Sequence, residues 1–349
     1  MHLEEIFVKI DISIREAIKK LDITAKKILL VVDGDMLVGT VTDGDIRRWI
    51  LKNGNLNFKV HNIMNKAPIS LGVKEMHLAK ELMKKKAIES IPIVDDKNRV
   101  IDIVFWNDDL EVASNRYKNI SAPVVIMAGG KGTRLYPYTK ILPKPLIPIG
   151  DSSITERIIS RFTKFGCKDF YFTVNYKKNM IRAYFDDLEK NYEISYVEEE
   201  KFLGTGGSLH LLRGRINETF FVSNCDVLVD ANYYDILKYH KDNNNLITMV
   251  TSLKNYQIPY GIIKLGDDGQ VIGTTEKPEY DYLVNTGFYI LEPETLEDVP
   301  ENTFFHITDL INKYIETGKK VGTYPITENA WLDMGEMKEM DRMIKRLEL

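Results

Sequence analysis

Cysteine is almost missing from this chain of 349 residues. Only Cys167 and Cys225 occur, too few for a disulfide framework and without the spacing of a zinc site, which suits a reducing compartment. An excess of positive charge is missing as well. Lys and Arg total 47 against 51 for Asp and Glu, a net charge of -4, so no basic field exists to hold a nucleic acid. The longest apolar runs, residues 28–32 (ILLVV) and 124–128 (VVIMA), fall far short of the roughly 18 residues a spanning helix needs, so no membrane partner is expected. The opening stretch, MHLEEIFVKI, has no basic region ahead of an apolar one and does not read as a secretory signal. A cytoplasmic protein is the expectation. What is present, 44% hydrophobic and 28% charged residues, suits a soluble globular chain. Because one core seldom grows past about 250 to 300 residues, this length predicts two domains.

The first 116 residues contain an internal repeat. Residues 28–33 (ILLVVD) have a buried-strand pattern, followed by a turn at Gly34 and Asp35, a second strand at 37–42, and a helix opening at Asp43 (DGDIRRWI). The same order returns in residues 90–95 (SIPIVD), 100–105 and 107–110 (NDDL). Setting Gly39 against Asp102 puts Thr42 opposite Phe105 and Asp45 opposite Asp108. An amphipathic helix precedes each strand pair, marked by Ile14, Ala17, Ile18 and Leu21 in the first copy and by Leu78, Ala79, Leu82 and Met83 in the second. The unit reads as helix, strand, strand, helix, twice over.

On these motifs, and above all on residues 39–47 (GTVTDGDIR), residues 1–116 resemble a tandem pair of α+β CBS domains, modules that bind adenosine-type nucleotides in clefts between the copies. The resemblance implies that Thr42 meets a phosphate and Asp45 the ribose hydroxyls, at a helix amino end whose N–H groups favour anions. Phe105 stands where the second copy should carry a hydroxyl, so a single ligand site is expected. Thr and Asp are also ordinary helix caps, and that reading stays open beside the ligand. The pair would bind a regulatory nucleotide or serve to build a homodimer or higher homo-oligomer. Residues 113–123 (ASNRYKNISAP) are polar and without periodicity, which predicts domains at 1–116 and 123–349 joined by a linker at 117–122.

The second part opens with a short apolar strand (VVIMA), a glycine-rich turn at 129–135 (GGKGTRL), and Lys144 inside LPKPL. Glycines let backbone N–H groups close on phosphate oxygens. The turn does not end in Gly-Lys-Ser/Thr as a P-loop does, and Leu135 occupies the third glycine position of a dinucleotide fingerprint, so neither of those motifs is present. Two cations stand in fixed relation to the turn, Arg134 and Lys144, the latter stiffened by Pro143 and Pro145.

The string at 127–149 (MAGGKGTRLYPYTKILPKPLIPI) closely resembles the signature of sugar-1-phosphate nucleotidyltransferases. Further motifs follow in the family's order: 200–207 (EKFLGTGG), 220–226 (FFVSNCD), Tyr260-Gly261, Glu276-Lys277-Pro278, 285–289 (NTGFY) and 331–335 (WLDMG). The fold this implies is α/β, a Rossmann-like domain on a mixed, mostly parallel sheet, preceded by the CBS pair. The reaction it implies is attack by a sugar phosphate oxygen on the α-phosphorus of an NTP, giving an NDP-sugar and pyrophosphate.

The resemblance also implies the site. Ala128, Gly129, Gly130, Gly132 and Thr133 would hold the triphosphate, Arg134 and Lys144 would absorb developing charge, and Asp226 with Asp333 would bind Mg²⁺. Gly261, Glu276, Lys277 and Asn285 would line the sugar side. Cys225 and Phe202 depart from the glycine and proline common at their positions, marks of a subfamily, while His210 reads as a core or surface residue. The loop containing Gly204 and Thr205 is most like those of guanylyltransferases, and Glu200 just ahead of it could accept from the N1–H and exocyclic amine of guanine. GTP is therefore favoured over UTP or CTP. A CBS pair ahead of this domain resembles the glucosamine-1-phosphate guanylyltransferases of legionaminic acid pathways, with mannose- or heptose-1-phosphate as alternatives. A catalytically silent nucleotide sensor is disfavoured because Arg134, Lys144, Asp226 and Asp333 are all retained.

Overall fold

A computed structural model describes residues 3–24, 26–106, 119–335, 339, 340, 343 and 344. The chain divides into two compact units, Met1–Lys118 and Asn119–Leu349. Among the described residues, no helix is long and apolar enough to cross a membrane.

The first unit runs β1 (Phe7–Lys9), α1 (Ile14–Thr24), β2 (Ile28–Asp33), β3 (Met36–Thr42), α2 (Asp43–Leu51), β4 (Leu71–Gly72), α3 (Ala79–Lys86), β5 (Ser90–Val94) and β6 (Val100–Phe105). Ile14, Ala17, Ile18 and Leu21 form the buried stripe of α1. In the second copy Ala79 and Met83 are buried, but Leu78 closes a preceding 3₁₀ turn and is exposed, because that turn breaks the helical phase one residue early. The two three-stranded sheets share one topology: a parallel pair (β1 with β2, β4 with β5), then an antiparallel hairpin (β2 with β3, β5 with β6). Register repeats too. Val31 faces Gly39 and Ile93 faces Asp102, and each hairpin has its irregularity one step later, at Val31/Val32 and Ile93/Val94. The hairpin turns bind each other, the Leu37 N–H donating to the Asn98 carbonyl and the Val100 N–H to that of Asp35, both at 2.9 Å. The expected NDDL helix with Asp108, and residues 113–118 of the expected linker, lie outside the described residues. Residues 119–122 pack on the second unit: Ile120 and Ala122 are buried, and the Ile120 N–H donates to the Phe165 carbonyl at 2.6 Å.

The second unit begins with β7 (Val124–Met127), a hairpin of β8 (Pro148–Ile149) and β9 (Ser152–Ser153), α4 (Ile154–Lys164), β10 (Asp169–Val174), α5 (Lys178–Asp187) and β11 (Glu193–Glu198). It continues through β12 (Phe220–Asn224), β13 (Val227–Val229), α6 (Tyr233–Asp242), β14 (Ile247–Gln257), β15 (Ile262–Leu265), β16 (Val271–Thr275), β17 (Glu279–Leu291), α7 (Ile307–Glu316), β18 (Val321–Ile326) and β19 (Trp331–Asp333). Seven strands form one sheet in the order β11-β10-β7-β12-β17-β14-β18. Only the two pairings made by β17 are antiparallel, so the sheet is mixed and mostly parallel.

Every residue of β7 is buried, as befits a central parallel strand covered on both faces. On one face Phe162 of α4 stacks on Phe288 with ring centres 5.6 Å apart and meets Phe221 and Tyr233. On the other, Val125, Val222 and Leu291 pack with Ile307, Leu310 and Tyr314 of α7. A Ser153–Glu156 capping box starts α4 where the chain leaves β9. The parallel strands β7, β10, β11 and β12 end side by side, with Met127 between Thr173 and Asn224 and with Val174 facing Glu198. Their carboxyl ends are where an open α/β sheet presents its ligand crevice.

Candidate active site

A cleft of about 450 Å³ opens at those strand ends. The turn after β7 supplies one wall with Gly129, Gly130, Gly132, Thr133 and Arg134. Gly132 is required twice over, since its φ of +65° is left-handed and a Cβ there would lie 2.9 Å from Thr139 Cγ2. Thr139 Oγ1 donates to the Gly132 carbonyl at 2.9 Å, closing the turn. At Gly129 a Cβ would lie 2.4 Å from Glu199 Oε1, so the missing side chain is what lets that carboxylate approach. Ala128 behaves otherwise than expected. It is buried and does not line the cleft, because its N–H extends the sheet to the Thr173 carbonyl at 2.9 Å.

Lys144, on a 3₁₀ turn between Pro143 and Pro145, makes a buried ion pair with Asp226 just beyond β12. Burial works against its charge, but Asp226 ahead of the other nearby acids outweighs that and raises the Lys144 pKa. Asp333 arrives from far along the chain because β19 pairs antiparallel with β13, placing Val227 opposite Asp333 and letting the Met334 N–H donate to the Asp226 carbonyl at 2.9 Å. Burial and then the Asp226 charge push the Asp333 carboxyl up to about 6, opposed by Lys144 and Arg134. A Cβ on Gly335 would lie 3.2 Å or less from both Asp333 carboxylate oxygens and 3.4 Å from Arg134 Nη1, so Arg134 belongs to the same cluster. Burial pushes the thiol of Cys225 beside it up to about 12, which keeps it protonated at neutral pH. Two carboxylates that repel each other, Asp226 buried and Asp333 half-buried, are both hard oxygen donors and fit a magnesium ion. No group of three or more metal-ligating side chains occurs among the described residues, so phosphate oxygens and water would complete such a shell.

Of the adjacent acids after β11, Glu199 lines the cleft and Glu200 does not. The reason is strand alternation: Val197 and Glu199 point inward, Glu198 and Glu200 outward to solvent. Glu200, expected at the base, is thus exposed away from the cleft, and Glu199 is the acid that faces into it. Burial raises the Glu199 pKa against hydrogen bonds from the Leu203 N–H, Ser208 and Thr173. Gly204 and Thr205 line the same wall. His210 is buried and bonds the Gly207 carbonyl through Nδ1 at 2.6 Å.

The four sugar-side residues lie outside the cleft lining. Gly261 and Glu276 are neighbours, since a Cβ on the glycine would sit 2.9 Å from Glu276 Oε2, and Lys277 Nζ is 4.0 Å from Glu276 Oε1. Asn285 is exposed on β17, donating to the Tyr289 hydroxyl at 2.7 Å. In the first unit Thr42 and Asp45 form a reciprocal capping box on α2. The Thr42 hydroxyl donates to Asp45 Oδ2 at 2.6 Å, and Arg48 donates to Oδ1 at 2.5 Å.

Residues 123–348 match the family model described as nucleotidyl transferase. The chain belongs to that family. Residues 1–52 match the CBS domain model. The bifunctional protein GlmU of Methanococcus maripaludis is 34% identical over 221 residues, 60% of this chain and 51% of that protein. The mannose-1-phosphate guanylyltransferase catalytic subunit beta of Dictyostelium discoideum is 30% identical over 62% of this chain and 61% of its own length. The chain thus spans about half the length of the first of these relatives. Among solved structures, HddC from Yersinia pseudotuberculosis superposes with a TM-score of 0.52 at 23% identity, covering 65% of this chain and 99% of that one, a likeness of fold. The fold is that of a nucleotidyl transferase behind an N-terminal CBS domain.

Proposed function

We propose that this nucleotidyl transferase family member is a sugar-1-phosphate guanylyltransferase, moving GMP from GTP to a sugar-1-phosphate with release of pyrophosphate. The observation that carries the reading is the pairing of one cleft wall built of a glycine turn, Arg134 and Lys144 with another carrying the Glu199 carboxylate. The first suits a triphosphate. The second offers two acceptor oxygens to the N1–H and exocyclic amine of guanine, a donor pair that uracil and cytosine lack. Relatives named for guanylyl transfer, and a fold neighbour, HddC, solved in complex with GMP-PN, support the same base.

In this mechanism the turn at residues 129–133 holds the triphosphate, and Arg134 and Lys144 draw off charge as it builds on the departing pyrophosphate. Mg²⁺ held by Asp226 and Asp333 would add charge neutralisation at the phosphate oxygens. Glu276, Lys277, Gly261 and Asn285 orient the sugar phosphate for in-line attack. Glucosamine-1-phosphate is the proposed acceptor, because the layout with a CBS unit in front resembles that of legionaminic acid pathway enzymes. Pyrophosphate release measured for four NTPs against glucosamine-, mannose- and heptose-1-phosphate tests the whole reading. Preference for GTP with glucosamine-1-phosphate is expected; preference for UTP or CTP ends the guanylyl assignment, and no turnover with any pair ends the enzymatic one. The CBS unit is proposed to bind a regulatory nucleotide or to join copies of the chain, readings that calorimetry with adenine and guanine nucleotides and sedimentation would separate.

A further inference from the structure

Phe202 is the one aromatic side chain among the described residues lining the cleft, and it is 47% exposed. Other aromatic side chains are as exposed, Phe304 at 54% among them, but Phe202 alone of them also lines the cleft, where its free face is open to a bound ligand. It is not loosely held. Its ring meets that of Phe304 at 5.8 Å, and Phe304 meets His306 edge-on at 4.8 Å. His306 Nδ1 lies 3.2 Å from the hydroxyl of Thr205, itself a cleft residue. The backbone doubles this brace. The Phe305 N–H donates to the Leu203 carbonyl at 2.9 Å, and the Gly206 and Gly207 N–H groups both donate to the Phe305 carbonyl at 3.0 Å. On its other side the same loop is fixed by the Leu203 N–H, which donates to Glu199 Oε2 at 3.2 Å.

An anchored, half-exposed ring beside a carboxylate suited to a base edge is a stacking platform. We propose that Phe202 stacks on the nucleobase, with Phe304 and His306 as positioning residues that hold its ring. The inference rests on the cleft being an NTP site. It adds a selection that hydrogen bonds at Glu199 do not make, because a purine offers a larger π-face than a pyrimidine.

Calorimetry on the full chain with Mg²⁺ and no sugar phosphate tests this with four probes: GTP, ITP, UTP and inorganic tripolyphosphate. ITP keeps the purine face but lacks the exocyclic amine, and tripolyphosphate has no base. Phe202→Ala should weaken GTP and ITP alike by about 10-fold, the scale of one lost base–aromatic stack, with a smaller loss for UTP and none for tripolyphosphate. Phe202→Tyr should restore binding, and Phe304→Ala should give a partial loss of the same pattern. Unchanged GTP affinity in Phe202→Ala, or a parallel fall for tripolyphosphate, would overturn the proposal, the second by showing that the ring only supports the loop. A wild-type preference for UTP would end the guanylyl reading alone, since stacking is judged by base-bearing against base-free ligands.

Discussion

Lys144 and Asp226, 82 residues apart in the chain, meet as a buried ion pair at the cleft, and the charge of Asp333 reaches the same ammonium. The relationship sets one cation against two carboxylates. Asp226→Asn and Asp333→Asn should each lower Mg²⁺-dependent turnover by about 100-fold or more, the scale of about 3 kcal/mol of lost transition-state stabilisation. Pyrophosphate release across a Mg²⁺ titration checks it; near wild-type rates at limiting Mg²⁺ would remove that residue from the metal site.

Glu199 and Glu200 separate cleanly by side of strand. Glu199→Gln should cut the GTP-over-UTP ratio of kcat/KM by about 10-fold, since a charged acceptor for two donors is lost. Glu200→Gln, on the solvent side, should leave the ratio where it was. The reverse result would return the base contact to Glu200.

Lys177 reaches across to the segment that follows the glycine turn. From a left-handed backbone (φ +52°) its ammonium donates to the carbonyls of Lys140 and Ile141 at 2.5 Å each, and Tyr176 donates to the Thr139 carbonyl at 3.3 Å. These bonds tie the segment between Arg134 and Lys144 to the end of β10. Lys177→Met should lower kcat by about 10-fold through misplacement of Lys144, at roughly 1 to 2 kcal/mol for the lost charged bonds, with KM for the sugar phosphate unchanged. Steady-state kinetics with partial rescue by Lys177→Arg checks it.

Asp298 accepts from Lys313 and Lys319 at 2.7 Å and from the buried Tyr314 hydroxyl at 2.8 Å, which hold its carboxyl well below the usual range. A depressed carboxylate pKa stabilises the folded state above the unfolded value near ~3.9, and that contribution is lost as pH falls toward the folded value. Asp298→Asn should cost about 1 to 2 kcal/mol at neutral pH, discounted for its partial exposure. In urea unfolding the gap between wild type and variant should narrow from pH 5 to pH 2; a gap independent of pH would sink the argument.

Asp45 serves the α2 cap, accepting from the Thr42 N–H at 2.8 Å as well as from its hydroxyl. Asp45→Ala should destabilise the first unit by about 1 kcal/mol, the ordinary cost of losing a cap. Thermal unfolding of the full chain would show it.

What the sequence determined by itself is what neighbours along the chain can specify. The all-apolar β7, the glycine turn after it, the stripe of α1 and the repeated hairpins follow from side-chain periodicity and turn residues, and these periods are local. The motif order also named Asp226 and Asp333, although nothing in their spacing paired them. Tertiary structure decided the rest. The register of β13 on β19 brings the two carboxylates together, and the inward phase of the chain leaving β11 selects Glu199 over Glu200. Ile120 and Ala122, inside the expected linker, are buried, with the Ile120 N–H on the Phe165 carbonyl, and a lysine just past β10 finds carbonyls 36 and 37 residues earlier. Each of these depends on which surfaces meet after the chain has folded back on itself. A one-residue change of register reverses every inward and outward side chain, and only the packed sheet chooses between the two.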